Sequence, residues 1–346
     1  MKKRIAYGIF ICMICFSIFY LVYQWKELNR FANQAGLRYE TGGLSQTQIE
    51  EYNKKRLENA KTEEGTQQIE ITAWKREKEQ NVIWKDTGQQ TKGTVITVYG
   101  NMARILPFSM KYGGYTFPAD AAGCVVSSGL AWKLFGAEDV VGNVVQYGER
   151  KFQIHGVLDM EESVLAIYQT NRQEAMPYVE VWNPEEPPAP RLEQIESSIG
   201  MFGASYEFTG SFYCSIARIL LSIPFWLIFY YLCRCFFRWC NISEEAGRGR
   251  YGKWCRIAGK VVMFLGIVIG IFFSISFTSD FIPVQWSDFS FWSEKWQGIA
   301  EGIQRRGEAP GIYWEQEVIG SVRRIAGGGL VLLTGIWGGE KKLAKK

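Results

Sequence analysis

Residues 124–159, CVVSSGLAWKLFGAEDVVGNVVQYGERKFQIHGVLD, form the most clearly patterned stretch of the chain. Its apolar start, residues 124–126, is long enough for one buried strand. Ser127 and Ser128 then offer hydroxyl groups that cap helices, and apolar residues at helical spacing lead to a glycine stop: Leu130, Ala131, Leu134, Phe135 and Gly136. Residues 144–147 and 152–157 alternate apolar and polar side chains around a turn, which predicts a β-hairpin. The stretch therefore predicts a strand, a helix and a hairpin in succession.

The same residues resemble the extracytoplasmic core domain of MacB/FtsX-like ABC transporter permeases. That family's pattern is a strand ending in Val-Ser, a Leu-Ala-x-x-Leu-Phe-Gly helix, a Val-x-Gly turn and a strand ending in Gly-Val. Here the positions are Val126, Ser127, Leu130, Ala131, Leu134, Phe135, Gly136, Val140, Gly142, Gly156 and Val157. The match is dense over this stretch and weak in the rest of the outer domain.

Composition places the chain at a membrane. It has 346 residues, 47% hydrophobic and 15% aromatic, with a formal net charge of +4. The basic residues lie beside apolar runs, which favours a positive-inside membrane topology over nucleic-acid binding. Of the cysteines, only Cys124 lies well inside the outer domain, so a secreted disulfide framework is excluded.

Four apolar segments predict four transmembrane helices. The first, residues 5–23 within an anchor of residues 1–23, follows basic residues and is predicted to be uncleaved, a signal peptide being the alternative. The other three belong to a permease domain, residues 212–346, and are residues 212–233, 257–277 and 320–337. The last is the weakest because Arg323 and Arg324 stand at its outer end. Arg218, inside the second, is predicted to snorkel to the interface, a contact between helices being the alternative.

Between the first two spans, residues 24–211 are predicted to form an α+β extracytoplasmic domain. The patterns predict strands at residues 68–74, 94–99, 177–182 and 204–208, and helices near residues 45–65, 161–172 and 191–200. Residues 75–93 are predicted to be a connection that includes one short strand. Residues 100–123, rich in glycine, proline and aromatic residues, are predicted to be an ordered loop packed over the sheet, a loop that lines a binding surface being the alternative.

The basic segment 234–256 has the charge of a cytoplasmic loop. The resemblance implies that this loop contacts a separate ATPase, so the candidate coupling residues are Arg248, Arg250, Lys253 and Arg256. Residues 247–254, GRGRYGKW, match all but the last position of a phosphate-binding loop. Because Trp254 replaces the hydroxyl residue and no αβ domain surrounds the stretch, we do not predict nucleotide binding.

Two further patterns concern the membrane part. Gly266 and Gly270 form a G-x-x-x-G step, which lets another helix approach closely and is predicted to pack helices. Residues 278–319 are predicted to be outside, with an aromatic, amphipathic segment on the outer leaflet.

No catalytic pattern is visible, so we predict neither an enzyme nor a cofactor or metal site. The single histidine, His155, lies on a predicted strand, where contacts with neighbours explain it better than catalysis does. The resemblance implies a multi-pass cell-membrane permease with both termini cytoplasmic, coupled to a separate ABC ATPase and acting as a homo- or heterodimer in the lipid bilayer. It implies transport or mechanical transmission, without selecting a substrate. The alternative is a membrane-anchored binding or sensor protein with no ATPase.

Overall fold

The computed structural model describes residues 2–60, 69–201, 203–245, 249–274, 290, 293, 297 and 312–344. The chain divides into two compact units. The helical unit comprises Met1–Ala32, Gly210–Ser287 and Glu317–Lys346, and the sheet unit comprises Asn33–Thr209 and Asp288–Gln316. The described helices are α1 (Lys2–Asn29), α2 (Gln46–Ala60), α3 (Met102–Ile105), α4 (Ser128–Phe135), α5 (Leu192–Ile199), α6 (Gly210–Glu245), α7 (Gly249–Ser274) and α8 (Trp314–Ala344).

In the described part of the sheet unit, ten strands form one sheet. They are β1 (Gln34–Arg38), β2 (Glu70–Trp84), β3 (Gln90–Tyr99), β4 (Met110–Gly113), β5 (Gly123–Ser127), β6 (Val144–Tyr147), β7 (Arg150–Leu158), β8 (Val164–Tyr168), β9 (Tyr178–Trp182) and β10 (Tyr206–Thr209).

Six of these strands close into a barrel. The end of β2 pairs with β3, and the order continues through β8, β5, β7 and β6 back to β2. Alternate residues of these strands point inward and form one buried cluster with α4, including Val82, Val95, Val126, Phe152 and Leu165. Because α4 follows β5 directly and packs into this cluster, it closes one end of the barrel, and we term it the lid helix.

The start of β2 extends the sheet beyond the barrel. It pairs with β9, which pairs with β1, and β1 pairs with β10, all antiparallel. Residues 33–209 therefore begin and end on neighbouring strands, with Ala35 opposite Thr209. One face of this extension packs against α2 and α5 through a second apolar cluster, which includes Ile49, Val179 and Ile195.

The central sequence prediction is confirmed. β5, α4 and the β6–β7 hairpin follow one another as expected, and the predictions near residues 177–182, 191–200 and 204–208 correspond to β9, α5 and β10. Ser45 begins α2 as part of a capping arrangement, since Gln48 N–H donates to Ser45 Oγ at 3.4 Å and Ser45 N–H donates to Gln48 Oε1 at 3.0 Å.

Three predictions for the outer domain are wrong. The helix predicted at residues 161–172 is strand β8, whose five residues are all buried between β3 and β5. The connection predicted at residues 75–93 is a hairpin, because β2 continues to Trp84 past a bulge between Glu77 and Gln80. The loop predicted at residues 100–123 contains α3 and β4. Short apolar runs do not distinguish a buried strand from a buried helix.

Two described helices are long and apolar enough to cross a membrane by length and composition. These segments are Gly210–Arg238 in α6 and Trp314–Gly335 in α8, and the apolar part of α7, Ile257–Ile271, is shorter. The span predicted at residues 5–23 lies within α1, and the span predicted at residues 257–277 begins within α7. Both stay predictions. The predicted loop at residues 234–256 is largely helical, because α6 continues to Glu245 and α7 begins at Gly249. Most of the segment predicted at 278–319 lies outside the described residues.

Candidate functional site

The motif that carries the family resemblance is a packing motif in this chain. Ser127 is the N-cap of α4, and Gly136 ends the helix in the left-handed conformation with φ of 71°. Leu130, Ala131 and Leu134 are buried in the barrel core, and the Phe135 ring lies 4.7 Å from that of Trp84. Val157 is buried as well.

Two glycines near this motif sit where no side chain fits, and a third has a positive φ. A Cβ atom on Gly129 would lie 1.9 Å from the carbonyl oxygen of Glu161, and one on Gly156 would lie 2.3 Å from that of Gly114. Gly142 has φ of 90° and donates its N–H to Ile154 O at 2.8 Å. Gly129 and Gly156 thus let the lid helix and the barrel wall approach neighbouring backbone closely, and Gly142 shapes the turn before β6.

A polar cavity of about 430 Å³ lies at the barrel end opposite α4, which we term the barrel mouth. Its charged and polar lining comprises Lys75, Glu77, Thr97, Tyr147, Glu149, Arg150 and Gln169, over the apolar side chains of Phe152 and Ile167. Tyr147 donates its hydroxyl to Glu77 Oε2 at 3.0 Å, and burial followed by this carboxylate raises the pKa of Tyr147 to about 12. Lys75 pairs with Glu174 and lies 3.6 Å from Glu77. The cavity thus presents both signs of charge in one place.

A second polar cluster lies in the sheet extension, on the face opposite α2 and α5. Arg38 of β1 forms an ion pair with Glu315, and the side chains are 11% and 2% exposed. Glu180 of β9 is directly opposite Gly36 in the sheet and is also buried. Its Oε1 accepts a hydrogen bond from Trp74 Nε1 at 3.2 Å. Buried charge of this kind is costly unless it is paired, so the stability of this cluster depends on its ion pair and hydrogen bonds.

In the helical unit, the predicted glycine step packs α7 against α6. A Cβ on Gly266 would lie 2.6 Å from the Phe229 ring, and one on Gly270 would lie 2.8 Å from the Trp226 ring. Gly259 faces Phe236 in the same way. Successive glycines along α7 contact aromatic residues that lie progressively earlier in α6, so the two helices run antiparallel. The step is therefore occupied by a contact within the chain.

Polar side chains also connect helices of the helical unit. The guanidinium carbon of Arg218 on α6 lies 5.6 Å from the centre of the Trp25 ring on α1, which is a contact between helices, and its snorkelling to the interface stays a prediction. Arg324 Nε donates to Gln24 Oε1 at 2.8 Å, which joins α8 to α1.

The other predicted residues are placed as follows. Arg250, Lys253 and Arg256 lie in the first turns of α7, and Arg248 lies outside the described residues. His155 Nδ1 lies 3.3 Å from Asp120 Oδ2, which agrees with a strand histidine held by a neighbour. Among the described residues, no group of three or more His, Cys, Asp and Glu side chains is arranged to hold a metal ion.

No protein-family model matches the chain, and no curated protein sequence is significantly similar to it. The solved structures to which part of the chain is similar include the following two. The periplasmic region of MacB from Actinobacillus actinomycetemcomitans is 11% identical, with a TM-score of 0.41 over 52% of this chain and 90% of that one. The extracellular domain of the noncanonic ABC-type transporter YknZ from Gram-positive bacteria is 17% identical, with a TM-score of 0.32 over 48% of this chain and 88% of that one. Likeness this loose leaves family membership a prediction.

The sequence did not reveal the buried charge cluster. Its members come from β1, β9 and the start of α8, and Arg38 and Glu315 are 277 residues apart in the chain. Trp74 was placed on a predicted strand, yet nothing nearby in sequence indicates its carboxylate partner. One weak signal existed: residues 34–38, QAGLR, are bounded by polar residues, and a glycine in such a strand marks close approach of another group.

Proposed function

We propose that the chain is the permease subunit of an ABC-type transport or mechanical-transmission system, driven by a separate cytoplasmic ATPase. The observation that carries the proposal is the order of its parts. A helical unit is built from three separated stretches of chain, and the larger part of the sheet unit, residues 33–209, is inserted between α1 and α6. Two of the helices have membrane-spanning length and composition, and the inserted unit contains the motif that resembles MacB/FtsX-like permeases.

In this proposal the basic end of the α6–α7 pair contacts the ATPase. Glycines on α7 hold that helix tightly against α6, and close packing transmits a displacement of one helix to the other. Arg250, Lys253 and Arg256 stand at the start of α7, where their charge suits an acidic partner surface. Both termini are cytoplasmic, the chain spans the membrane four times, and two permease chains act together.

Co-purification tests the proposal. The full chain is isolated from native membranes in mild detergent beside a variant with Arg248, Arg250, Lys253 and Arg256 changed to alanine. A matched control replaces four exposed lysines of the sheet unit, Lys54, Lys55, Lys133 and Lys151, with alanine. We expect an ABC ATPase with the parent and the control, and its loss from the first variant. An ATPase that persists in all three moves the coupling site elsewhere, and no ATPase in any preparation refutes the permease function.

The cavity at the barrel mouth favours a second candidate, an anchored binding or sensor protein. Concave sites with a few convergent polar groups are the usual places for small ligands, and this cavity has the volume of such a site. A chain that co-purifies with no ATPase but whose thermal stability rises with a small charged ligand would support it. The ligand effect would have to disappear in the Arg150→Ala variant.

A further inference from the structure

The residues just before the last helix are buried in the sheet unit. Ile312, Tyr313, Trp314 and Glu315 are each at most 2% exposed, although they immediately precede or begin a helix of membrane-spanning composition. Residues 312–316 belong to the sheet unit, while the rest of α8 from Glu317 belongs to the helical unit. These five residues, which we term the pre-helix segment, therefore form part of the folded sheet unit rather than a loose connection.

Aromatic side chains hold the pre-helix segment from several strands. The Tyr313 ring lies 6.3 Å from that of Trp74, and it is edge-on to Phe108 at 6.5 Å. The Trp314 ring packs edge-on against Phe208 at 5.0 Å. Tyr313 has φ of 40°, a left-handed conformation that a non-glycine residue adopts only when its surroundings impose it. The segment is thus fixed in one conformation by its packing.

Its charged residue is anchored by an ion pair in the same place. Arg38 of β1 pairs with Glu315, and Glu315 Oε2 also accepts the N–H of Ile312 at 3.2 Å. The Arg38 guanidinium is stacked beside the Tyr206 ring at 4.7 Å. Because the pair is almost fully buried, removal of either partner leaves an uncompensated charge.

Glu180 brings a second carboxyl group into this site. A Cβ atom on Gly36 would lie 3.0 Å from Glu180 Oε2 and 3.3 Å from Trp314 Cζ2, so Gly36 provides the space that both side chains occupy. Trp74 Nε1 donates to Glu180 Oε1, while Gln34 Nε2 donates to Arg104 O instead, so the Glu180 carboxyl group is buried with a side-chain hydrogen bond from Trp74. Burial, followed by the charge of Glu315, raises the pKa of Glu180 to about 8.

Among the described residues around this site, no cation forms an ion pair with Glu180, and Arg104 pairs with Glu70. Arg38 faces Glu315 from β1, while Tyr178 of β9 and Tyr206 of β10 lie beside the Arg38 guanidinium. Two further charges lie near Tyr313, whose pKa is raised by burial: Glu162 adds to this rise, and Arg76 of β2 opposes it. With Glu180 ionised, two buried carboxylates, Glu180 and Glu315, therefore repel each other beside a single ion pair, and with Glu180 protonated this repulsion is absent.

We propose that the pre-helix segment is a proton-dependent latch. It is held in the sheet unit by the Arg38–Glu315 ion pair together with a proton on Glu180, and loss of that proton releases it. Since Trp314, Glu315 and Gln316 are also the first turn of α8, the state of the latch sets whether that turn is fixed to the sheet unit. The latch requires no ATPase, so it stands or falls independently of the permease function.

The sign of the effect follows from proton linkage. A Glu180 carboxyl group exposed by release returns toward its ordinary pKa of 4.5, so the docked state binds the proton more tightly than the released state. Docking is strongest below pH 4.5, weakens as the pH rises toward 8, and is constant at its weakest above that. Between pH 6 and 8 the docking equilibrium falls by up to about fifty-fold on this linkage.

Hydrogen exchange of the full chain in lipid nanodiscs tests the latch. The reporting amides are those of Ile312 and Glu315, which are hydrogen-bonded within the segment. After correction for intrinsic exchange rates, we expect their protection to fall by more than about tenfold between pH 6 and 8. Protection that is independent of pH in the parent chain overturns the proposal.

Variants separate the proton from the packing. Glu180→Gln keeps the shape of the protonated acid, so we expect its latch to stay protected over the whole range. Glu174→Gln, which removes a carboxylate elsewhere in the same unit, keeps the parent's pH dependence. Arg38→Met should lose protection at both pH values. A Glu180→Gln variant that titrates like the parent, or an Arg38→Met variant that stays protected, contradicts the proposal.

Discussion

The hydroxyl oxygen of Ser127 accepts hydrogen bonds from two backbone amides, that of Val164 at 2.9 Å and that of Leu130 at 3.1 Å. The first amide belongs to β8 and the second to α4. One fully buried side chain therefore caps the lid helix and ties it to the barrel wall. This explains why a serine ends the strand before the lid, where an apolar residue would bury equally well.

Replacing this serine with alanine should destabilise the sheet unit. Ser127→Ala leaves two buried amides without their acceptor, which costs on the order of 1–3 kcal/mol for such groups. Thermal unfolding of the full chain, followed by a probe in the sheet unit, measures the loss. Ser197→Ala is the control, because its hydroxyl donates to Gln194 O at an exposed site. Equal midpoints for the two variants would contradict the assignment of Ser127.

Gly129 should tolerate no side chain, whereas Gly114 should. The added methyl group of Gly129→Ala would meet the Glu161 carbonyl oxygen at 1.9 Å, while that of Gly114→Ala has nothing within 4 Å. We expect the first variant to lose about 1–3 kcal/mol or more of stability through overpacking, and the second to unfold like the parent. Denaturant titration of both variants measures this. A stable Gly129→Ala variant would show that the lid helix and the turn at Glu161 separate easily.

Helix packing through Gly266 is testable by a compensating pair. Gly266→Ala places a methyl group 2.6 Å from the Phe229 ring and should lower the thermal stability of the purified chain in detergent. Phe229→Ala added to it removes the clash, so the double variant should be more stable than the sum of the two single effects implies. Gly327→Ala on α8, with open space around it, is the neutral control. Strictly additive effects would mean that α6 and α7 do not pack here.

The ion pair between Lys75 and Glu174 predicts that the stability of the sheet unit falls at acidic pH, independently of the latch. The hydrogen bond from Lys75, followed by its charge, lowers the pKa of Glu174 below the ordinary 4.5. A lowered carboxyl pKa gives stability that is present above pH 4.5 and lost as the pH falls through the folded-state pKa. Because both side chains are partly exposed, we expect Glu174→Gln to cost less than about 1 kcal/mol at pH 7. The deficit should shrink toward pH 3 in denaturant titrations, and one that stays constant with pH would be inconsistent with this pairing.

The sequence predicts the parts of the fold that local patterns determine. Around Ser127, a strand, a cap, a helical stripe and a glycine stop occur within a few residues of one another, and the structure follows them. The helix prediction that included residues 164–168, VLAIY, is wrong because these residues carry no distinctive local pattern. They are buried on both faces, so no alternation marks them as a strand.

The candidate sites were harder to predict because long-range contacts build them. β1 reads as QAGLR, whose buried Gln34 and Arg38 look like the ends of a loop until β9, β10 and the pre-helix segment surround them. The cavity at the barrel mouth needs β2, β3, β6, β7 and β8 together. By contrast, the Gly266 and Gly270 step is visible in sequence because four-residue spacing places both glycines on one helix face.

The pairing of Ala35 with Thr209 has a mechanical consequence. Residues 33–209 begin and end at the same point of one antiparallel strand pair, whose hydrogen bonds run across the strands. A force that pulls these two ends apart loads the bonds one after another, as in opening a zipper, and therefore meets little resistance. A displacement common to both ends loads none of them. Residues 33–209 can thus be displaced as a rigid body when both ends move together, and β10 would peel away from β1 if the two ends were drawn apart.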